Sequence, residues 1–220
     1  MAESVEINLR QRLAAPATEV NALAGIVLAA GASRRMGSPK ALLEFQGETF
    51  LDRLIGGLND VCTETIVVLG YHADLIRGRL ARSARFVVNP DPDRGQLTSL
   101  QCGLAAISGV AAGVLFSPLD FPAVRPETIE LLAGAFVHRD AVAELVIPRF
   151  HGRRGHPVLA AAALIPEFLA LPETAAARDV VRRHDAGIRY VEVDDAGVVT
   201  DIDTQEDYRR LLDSQGVMHP

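Results

Sequence analysis

Short apolar runs alternate along this chain with amphipathic segments, and that alternation restricts the fold more than any other feature. Gly25–Ala30, Thr65–Leu69, Arg85–Val88, Val114–Phe116, Ala143–Pro148 and Tyr190–Val193 are each predicted to be a short buried strand. Between them lie helix signals. Phe50–Leu58 follows Thr49 with Asp52 three positions on, a capping box. Leu97–Ile107 has apolar residues at helical spacing, Pro126–Val137 opens on proline, and Thr204–Leu212 starts with the pair Thr204 and Asp207. Strands alternating with helices predict one α/β domain over residues 23–216, a Rossmann-like three-layer fold with a mostly parallel sheet. Residues 1–22 read as a polar leader that is poorly structured.

Composition removes several function classes. With 49% apolar and 23% charged residues the chain has the mix of a globular protein rather than a disordered one. Its 22 basic and 28 acidic residues leave a formal charge of −6, which argues against coating nucleic acid. The longest stretch without a polar side chain, Ala22 to Ala32, falls short of the ~20 residues a bilayer requires. Arg10 and Arg12 precede that run as in a secretory signal, but Glu19 and Asn21 interrupt it and a buried strand accounts for it better. Cys62 and Cys102 stand 40 positions apart with no CxxC or Cys/His cluster. Both are expected to be small buried hydrophobes in a reducing cytoplasm. No Trp and only 5% aromatic residues offer no large adhesive surface, and a monomer is expected.

Of the 22 basic residues 21 are arginine, and the single lysine, Lys40, lies in a glycine-rich loop. An ammonium is a compact point charge where a guanidinium is a planar fork, so a pocket can require one and refuse the other. Open parallel sheets bind ligands beyond the carboxyl ends of their strands, so the segments following each strand carry the chemistry. After the first strand comes Gly31-Ala-Ser-Arg-Arg-Met-Gly37-Ser-Pro-Lys40. Glycines that let N–H groups turn toward an anion, joined by Arg34, Arg35 and Lys40, make a polyphosphate cradle. It is neither a Walker A loop, since Lys40 comes three positions after Gly37, nor a G-x-G-x-x-G turn.

After the 114–116 strand, Asp120 sits at a carboxyl end between Pro118 and Pro122. A carboxylate beside a triphosphate suits Mg²⁺, which takes one or two carboxylates together with phosphate oxygens. Val198–Thr204 reads as a strand entering the last helix, with Asp201 and Asp203 on one face as further metal ligands. Arg153, Arg154 and His156, set among glycines, suit a second anion, while Ser99 and Gln101 face the Asn89-Pro90-Asp91 loop where base or ribose contacts would form. Together these clusters predict phosphoryl or nucleotidyl transfer.

The string Leu28-Ala-Ala-Gly-Ala-Ser-Arg-Arg-Met-Gly-Ser-Pro-Lys40 resembles the signature L-A-[AG]-G-x-S-x-R-M-G-x-x-K of the molybdenum cofactor nucleotidyltransferase family. Ala30, the Gly-Arg-Arg-Gly-His-Pro157 stretch and the Asp-Ile-Asp-Thr-x-Glu-Asp-Tyr208 ending are most similar to its cytidylyltransferase branch. The match departs at Pro-Leu-Asp-Phe-Pro122, where that branch more often has Gly-Asp-Met-Pro, and at Gln205, where proline is frequent. The resemblance, which spans about Ala24 to Leu212, implies a nucleotide-diphospho-sugar transferase-like fold and transfer of CMP from CTP to the phosphate of molybdopterin, with Mg²⁺ and release of pyrophosphate. It also implies roles for particular residues. Leu28, Ala29, Ala30, Gly31, Arg35, Gly37, Lys40 and Ser99 would bind the nucleotide, Arg35, Lys40 and Asp120 acting in catalysis. Asp120 and Asp203 would hold the metal, Asp203 being favoured over Asp201, and Arg153, Arg154 and His156 would receive the acceptor's phosphate. A molybdoenzyme or its maturation chaperone would take the product. Use of GTP or another phosphorylated acceptor is the alternative, and a non-catalytic cofactor carrier the other.

Overall fold

The computed structural model describes residues 22–215. The expected leader, apart from Ala22, lies outside the described residues. In chain order the strands are β1 (Leu23–Ala29), β2 (Glu44–Phe45), β3 (Glu48–Thr49), β4 (Glu64–Leu69), β5 (Arg85–Val88), β6 (Gly113–Pro118), β7 (Leu145–Phe150), β8 (Arg153–Arg154), β9 (Val158–Ala161) and β10 (Ile188–Glu192). The helices are α1 (Phe50–Asn59), α2 (Ala73–Arg77), α3 (Gln96–Ala105), α4 (Pro126–Val137), α5 (Ile165–Leu169), α6 (Ala177–Arg183) and α7 (Gln205–Gln215).

One sheet has the order β10-β7-β9-β6-β1-β4-β5, with β8 paired to β7. β1 runs parallel to β4 and β6, β4 to β5, and β7 to β10. β9 alone within the main order is antiparallel to both its neighbours, β6 and β7. The predicted mostly parallel sheet therefore stands, with one addition: Val158–Ala161, which lies in none of the predicted strands, forms β9 and joins two otherwise parallel halves.

Period two along β1 divides the core. Val27 and Ala29 face a cluster with α1, α4 and α7, and Ile26 and Leu28 face another with α3, α5 and α6. Helix α1 forms because Thr49 Oγ1 accepts from the Asp52 N–H at 3.0 Å and because Phe50, Leu51, Leu54, Ile55 and Leu58 make one buried stripe. On the other face α3 rides close to β1 at Gly103, where a Cβ would come within 2.7 Å of Ile26 Cγ2. The chain thus leaves β1 over one face and returns from β5 to β6 over the other. The loops after β1 and β6 part there, opening a crevice at the carboxyl edge.

The 198–204 segment is not the expected strand. Ala196–Val199 is a 3₁₀ turn whose first N–H groups are held by Asp195, and Thr200 to Asp203 pair with no strand. Buried Asp195 is the fastener. Oδ1 accepts from Gly197 N–H at 2.9 Å, and Oδ2 accepts from Arg125 N–H at 3.0 Å and Thr128 Oγ1 at 2.7 Å. A buried acceptor with three donors is replaceable only by leaving them unpaired. Cys62 and Cys102 are free and pack against the two core clusters, and burial pushes the Cys62 thiol up to about 12. Among the described residues no helix is long and apolar enough to cross a membrane.

Asp195→Ala is expected to lower unfolding free energy by about 2–4 kcal/mol in urea titrations. A loss below ~1 kcal/mol would mean that the turn is held by other contacts.

Candidate active site

Beyond β1 the chain runs from Ala30 to Pro39 without regular structure, around a turn closed by Met36 N–H to the Ser33 carbonyl at 2.9 Å. Left-handed backbone falls at Ser33 (φ 52°) and Gly37 (φ 70°). Ser33 Oγ in turn accepts from the Lys40 N–H at 3.0 Å, tying the two ends of the loop together. Among the described residues no backbone N–H from Gly31 to Arg35 donates a hydrogen bond within the chain. These donors border a cavity of about 430 Å³ lined by Leu28, Ala29, Ala30, Gly31, Arg35 and Lys40 together with Ser99, Asp120 and Asp203. Gly37 is a correction to the expected set: it does not line the cavity, and its turn faces Gln205, whose Nε2 lies 3.7 Å from where a Cβ would stand.

Three distant segments meet at the floor. Leu119 N–H donates to the Leu28 carbonyl at 3.1 Å, so β6 stays beside β1 until Asp120 turns out at its end. The N–H of buried Ile202 donates to the Asp120 carbonyl at 2.8 Å, bringing Asp203 alongside. Asp207 Oδ2 then accepts from the Asp203 and Thr204 N–H groups and from Thr204 Oγ1, completing the predicted cap of α7. Lys40 is only 6% exposed, and its Nζ donates to Asp120 Oδ1 at 2.5 Å and Asp203 Oδ1 at 3.0 Å. Arg35 stands 3.8 Å from Asp203 Oδ2. Burial pushes the Asp120 carboxyl above the usual carboxylate range, and Lys40 pulls it back part of the way.

Lys40 thus stands with the carboxylates rather than on the loop's exposed rim. Asp201 does not join them. The chain turns into α7 at Asp203, so Asp201 is exposed and lines a separate cavity, and the expected shared face of Asp201 and Asp203 is not formed. Two carboxylates around one cation position, with no sulfur or imidazole, form a donor set for a hard ion that completes its shell from phosphate oxygens. Among the described residues no group of three or more His, Cys, Asp or Glu gathers at metal-binding range, so an ion here would need further ligands from outside the chain.

The mouth of the cavity is tied by contacts between loops, of which only the one between Ser99 and the Asn89 loop is expected from the sequence. Tyr71 OH donates to Asp93 Oδ2 at 2.5 Å, and Arg34 lies 3.8 Å from Asp93 Oδ1. Buried Asn89 donates to Thr98 Oγ1 at 3.1 Å and Ser99 Oγ at 3.0 Å, orienting Ser99. Gln101 is corrected to a structural role, since its Nε2 donates to the carbonyls of Phe168, Leu169 and Leu171.

A second cavity of about 460 Å³ adjoins the first through Leu28 and Gln96, and Arg154 and His156 line it. Arg153 does not, because adjacent residues of β8 point to opposite faces. His156 packs on Phe121, ring centroids 4.6 Å apart, next to Asp120 in sequence, and its N–H donates to the Val198 carbonyl at 2.8 Å. Gly155 has no room for a side chain, since a Cβ would stand 2.3 Å from Val198 O. The Gly-His pair thereby docks the segment that ends in Asp203. Arg178 and Arg182 of α6 also line this cavity and were missed. Their i, i+4 spacing is visible in the sequence, but nothing there says that this helix face meets a cavity.

Burial holds the His156 imidazole down to about 4, from an ordinary 6.5. Between these values the unfolded chain binds a proton that the native ring does not, so stability falls as pH drops from 6.5 toward 4. At pH 4.5 this contributes about 2–3 kcal/mol of destabilisation. The wild type should therefore lose that much more than His156→Gln between pH 7.5 and 4.5 in urea titrations, and equal losses would show a ring that titrates normally.

The model of the MobA-like NTP transferase domain family matches residues 25–188. The chain is 28% identical over 192 residues to molybdenum cofactor cytidylyltransferase of Escherichia coli, covering 86% of this chain and 95% of that one. It is 31% identical over 207 residues to nicotine blue oxidoreductase of Paenarthrobacter nicotinovorans (89% and 98% covered), and 29% identical over 208 residues to a probable molybdenum cofactor guanylyltransferase of Bacillus cytotoxicus (88% and 98%). Among solved structures, Rv0371c from Mycobacterium tuberculosis superposes with a TM-score of 0.75 at 30% identity, covering 87% of this chain and 97% of that one. The family match runs from within β1 to the first residue of β10 and so takes in almost the whole sheet: this chain belongs to the MobA-like NTP transferase domain family.

Proposed function

We propose that this protein transfers CMP from CTP to the phosphate of molybdopterin and releases pyrophosphate. The observation that carries the reading is the Lys40 ammonium set between Asp120 and Asp203 beneath the glycine-rich loop. That arrangement is built to manage phosphate charge. The similarity to a cytidylyltransferase over most of the chain supports the choice of nucleotide and acceptor, and similarity to a guanylyltransferase makes GTP the second reading.

In the reaction an oxygen of the acceptor's phosphate attacks the α-phosphorus, the new O–P bond forms, and the bond to the β-phosphate breaks with its electron pair leaving on pyrophosphate. The nucleophile is already an anion, so the chain needs no general base. Its task is alignment and charge neutralisation. The N–H groups from Gly31 to Arg35 and the Arg35 guanidinium would receive the β- and γ-phosphates. An ammonium has three protons, and Asp120 and Asp203 use two, which leaves Lys40 one for a phosphate oxygen. Asp120 and Asp203 would hold Mg²⁺, which supplies Lewis-acid stabilisation of charge on the triphosphate. Arg154 and His156 would guide the acceptor.

The direct test is pyrophosphate release with Mg²⁺ and anaerobic molybdopterin, comparing CTP, GTP, ATP and UTP. Release with CTP alone is expected; release with GTP alone would reassign the base, and release with none would remove molybdopterin as acceptor. Asp120→Asn should fold and lose about 10²–10³-fold in turnover. Near-normal turnover would take Asp120 out of the reaction. Lys40→Arg keeps the charge, but a planar fork cannot bridge two carboxylates from one buried point, and a loss of about 10²-fold or more is expected. Unchanged kinetics there would make the bridge incidental.

A further inference from the structure

Helix α6 walls one side of the cavity that Arg154 and His156 line, yet Val180 is its only fully buried residue. Its end is fastened by His184, the residue that caps it. Nδ1 of the ring lies 2.6 Å from Glu144 Oε2, in the segment entering β7, and Nε2 lies 2.8 Å from Glu167 Oε1 on α5. Among the described residues these are the charged groups that face the ring. Arg183 reaches it only through Glu167, whose Oε2 accepts from Nε at 3.3 Å and Nη2 at 3.0 Å, and Asp185 turns away to Arg154 at 3.0 Å. An ionised carboxylate only accepts, and a neutral imidazole has one N–H and one bare nitrogen. Both contacts are therefore hydrogen bonds only when the ring carries two protons. The bond to Glu144, with that to Glu167 beside it, raises the imidazole above its ordinary 6.5 against the pull of burial.

The two ties differ in what backs them. At Glu144 the backbone closes the same corner: its N–H donates to the Gly187 carbonyl at 2.9 Å, and the Gly187 N–H donates to the His184 carbonyl at 2.9 Å. Glu167 has Arg183 as a second partner, so a ring that gives up one proton keeps Nδ1–H on Glu144 and turns a lone pair toward Glu167. The remaining tie from α6 to α5, Arg183 to Glu167, is half exposed and weak.

We propose that His184 is a proton-controlled clamp: charged, it holds the end of α6 between β7 and α5, and on losing a proton it frees that end from α5 and loosens the cavity wall. The native ring keeps a proton that the unfolded chain gives up above 6.5, so the clamp is complete below that pH and is lost as pH rises through the higher native value. Loosening reaches the cavity from two directions. Arg178 and Arg182 move with the helix, and Arg154 is held through Asp185, one residue beyond the ring. This regulation concerns the acceptor side of the transfer proposed above, and only its kinetic readout rests on that reading.

The test follows the His184 ring by NMR from about pH 6 to about pH 9 in the wild type, together with amide hydrogen exchange of residues 177–183, corrected for intrinsic rates, and the KM for molybdopterin with CTP and Mg²⁺. The ring should titrate above 6.5. With the same midpoint α6 should lose protection and the KM for molybdopterin should rise about tenfold, while the KM for CTP does not follow that step. His184→Arg keeps its charge and has donors for both carboxylates, so its protection and KM should stay at the neutral-pH values throughout. His184→Gln has one donor group and one acceptor, like the neutral ring, and should show the loosened helix at every pH. A ring that titrates at or below 6.5 would overturn the clamp, and so would the absence of a step in α6 exchange or an identical step in His184→Arg. A flat KM beside a step in exchange would overturn its part in acceptor binding. The titration and the exchange need no acceptor, so if molybdopterin is not a substrate the transfer reading fails and these two measurements still decide the clamp.

Discussion

One ammonium placed between two carboxylates organises the carboxyl edge of this sheet. Lys40 bonds to Asp120 and Asp203, 80 and 163 positions away in sequence. Two carboxylates at such range repel unless a cation stands between them, and a lysine that is 6% exposed is costly to bury unless it is paired. Each group therefore requires the others. Around that triad the glycine-rich loop is closed from Ser33 to Lys40, β6 ends at Asp120, and the 196–203 segment is fastened by Asp195 and by the Ile202 bond. Removing the ammonium would leave the two carboxylates side by side without their shared counter-charge.

Much of this was legible in the sequence because the physics that places the parts is local. The β1, β4, β5 and β6 runs are apolar and short, Pro126–Val137 matches α4 at both ends, and the Thr49/Asp52 and Thr204/Asp207 caps form as their spacing predicts. The rule that ligands collect beyond strand ends then leads to Gly31, Lys40 and Asp120. The rarity of lysine in this chain singled out the residue on which the site turns.

What was not legible depends on tertiary contact. Val158–Ala161 carries no alternation that separates a strand from a helical turn, and its antiparallel place between β6 and β7 follows from pairing alone. The 198–204 segment alternates like a strand, yet Asp195 folds it into a turn and α7 turns it again at Asp203, sending Asp201 elsewhere. Gly37 was assigned to phosphate by composition, but the geometry uses it for a turn against Gln205. Arg178 and Arg182 could not be seen as cavity residues until α6 was packed. In each case the side chain's chemistry was evident and its direction was not.

The proposed reaction breaks the bond between the α- and β-phosphates and passes the nucleotidyl group to the acceptor, and the fate of the α-phosphorus tests it most directly. Wild-type protein would be incubated with CTP labelled at the α-phosphate, or in parallel at the γ-phosphate, together with Mg²⁺ and molybdopterin. The α-label is expected in the pterin product and the γ-label only in pyrophosphate. Transfer of the γ-label to the acceptor, or release of free labelled CMP with no labelled pterin, would contradict it.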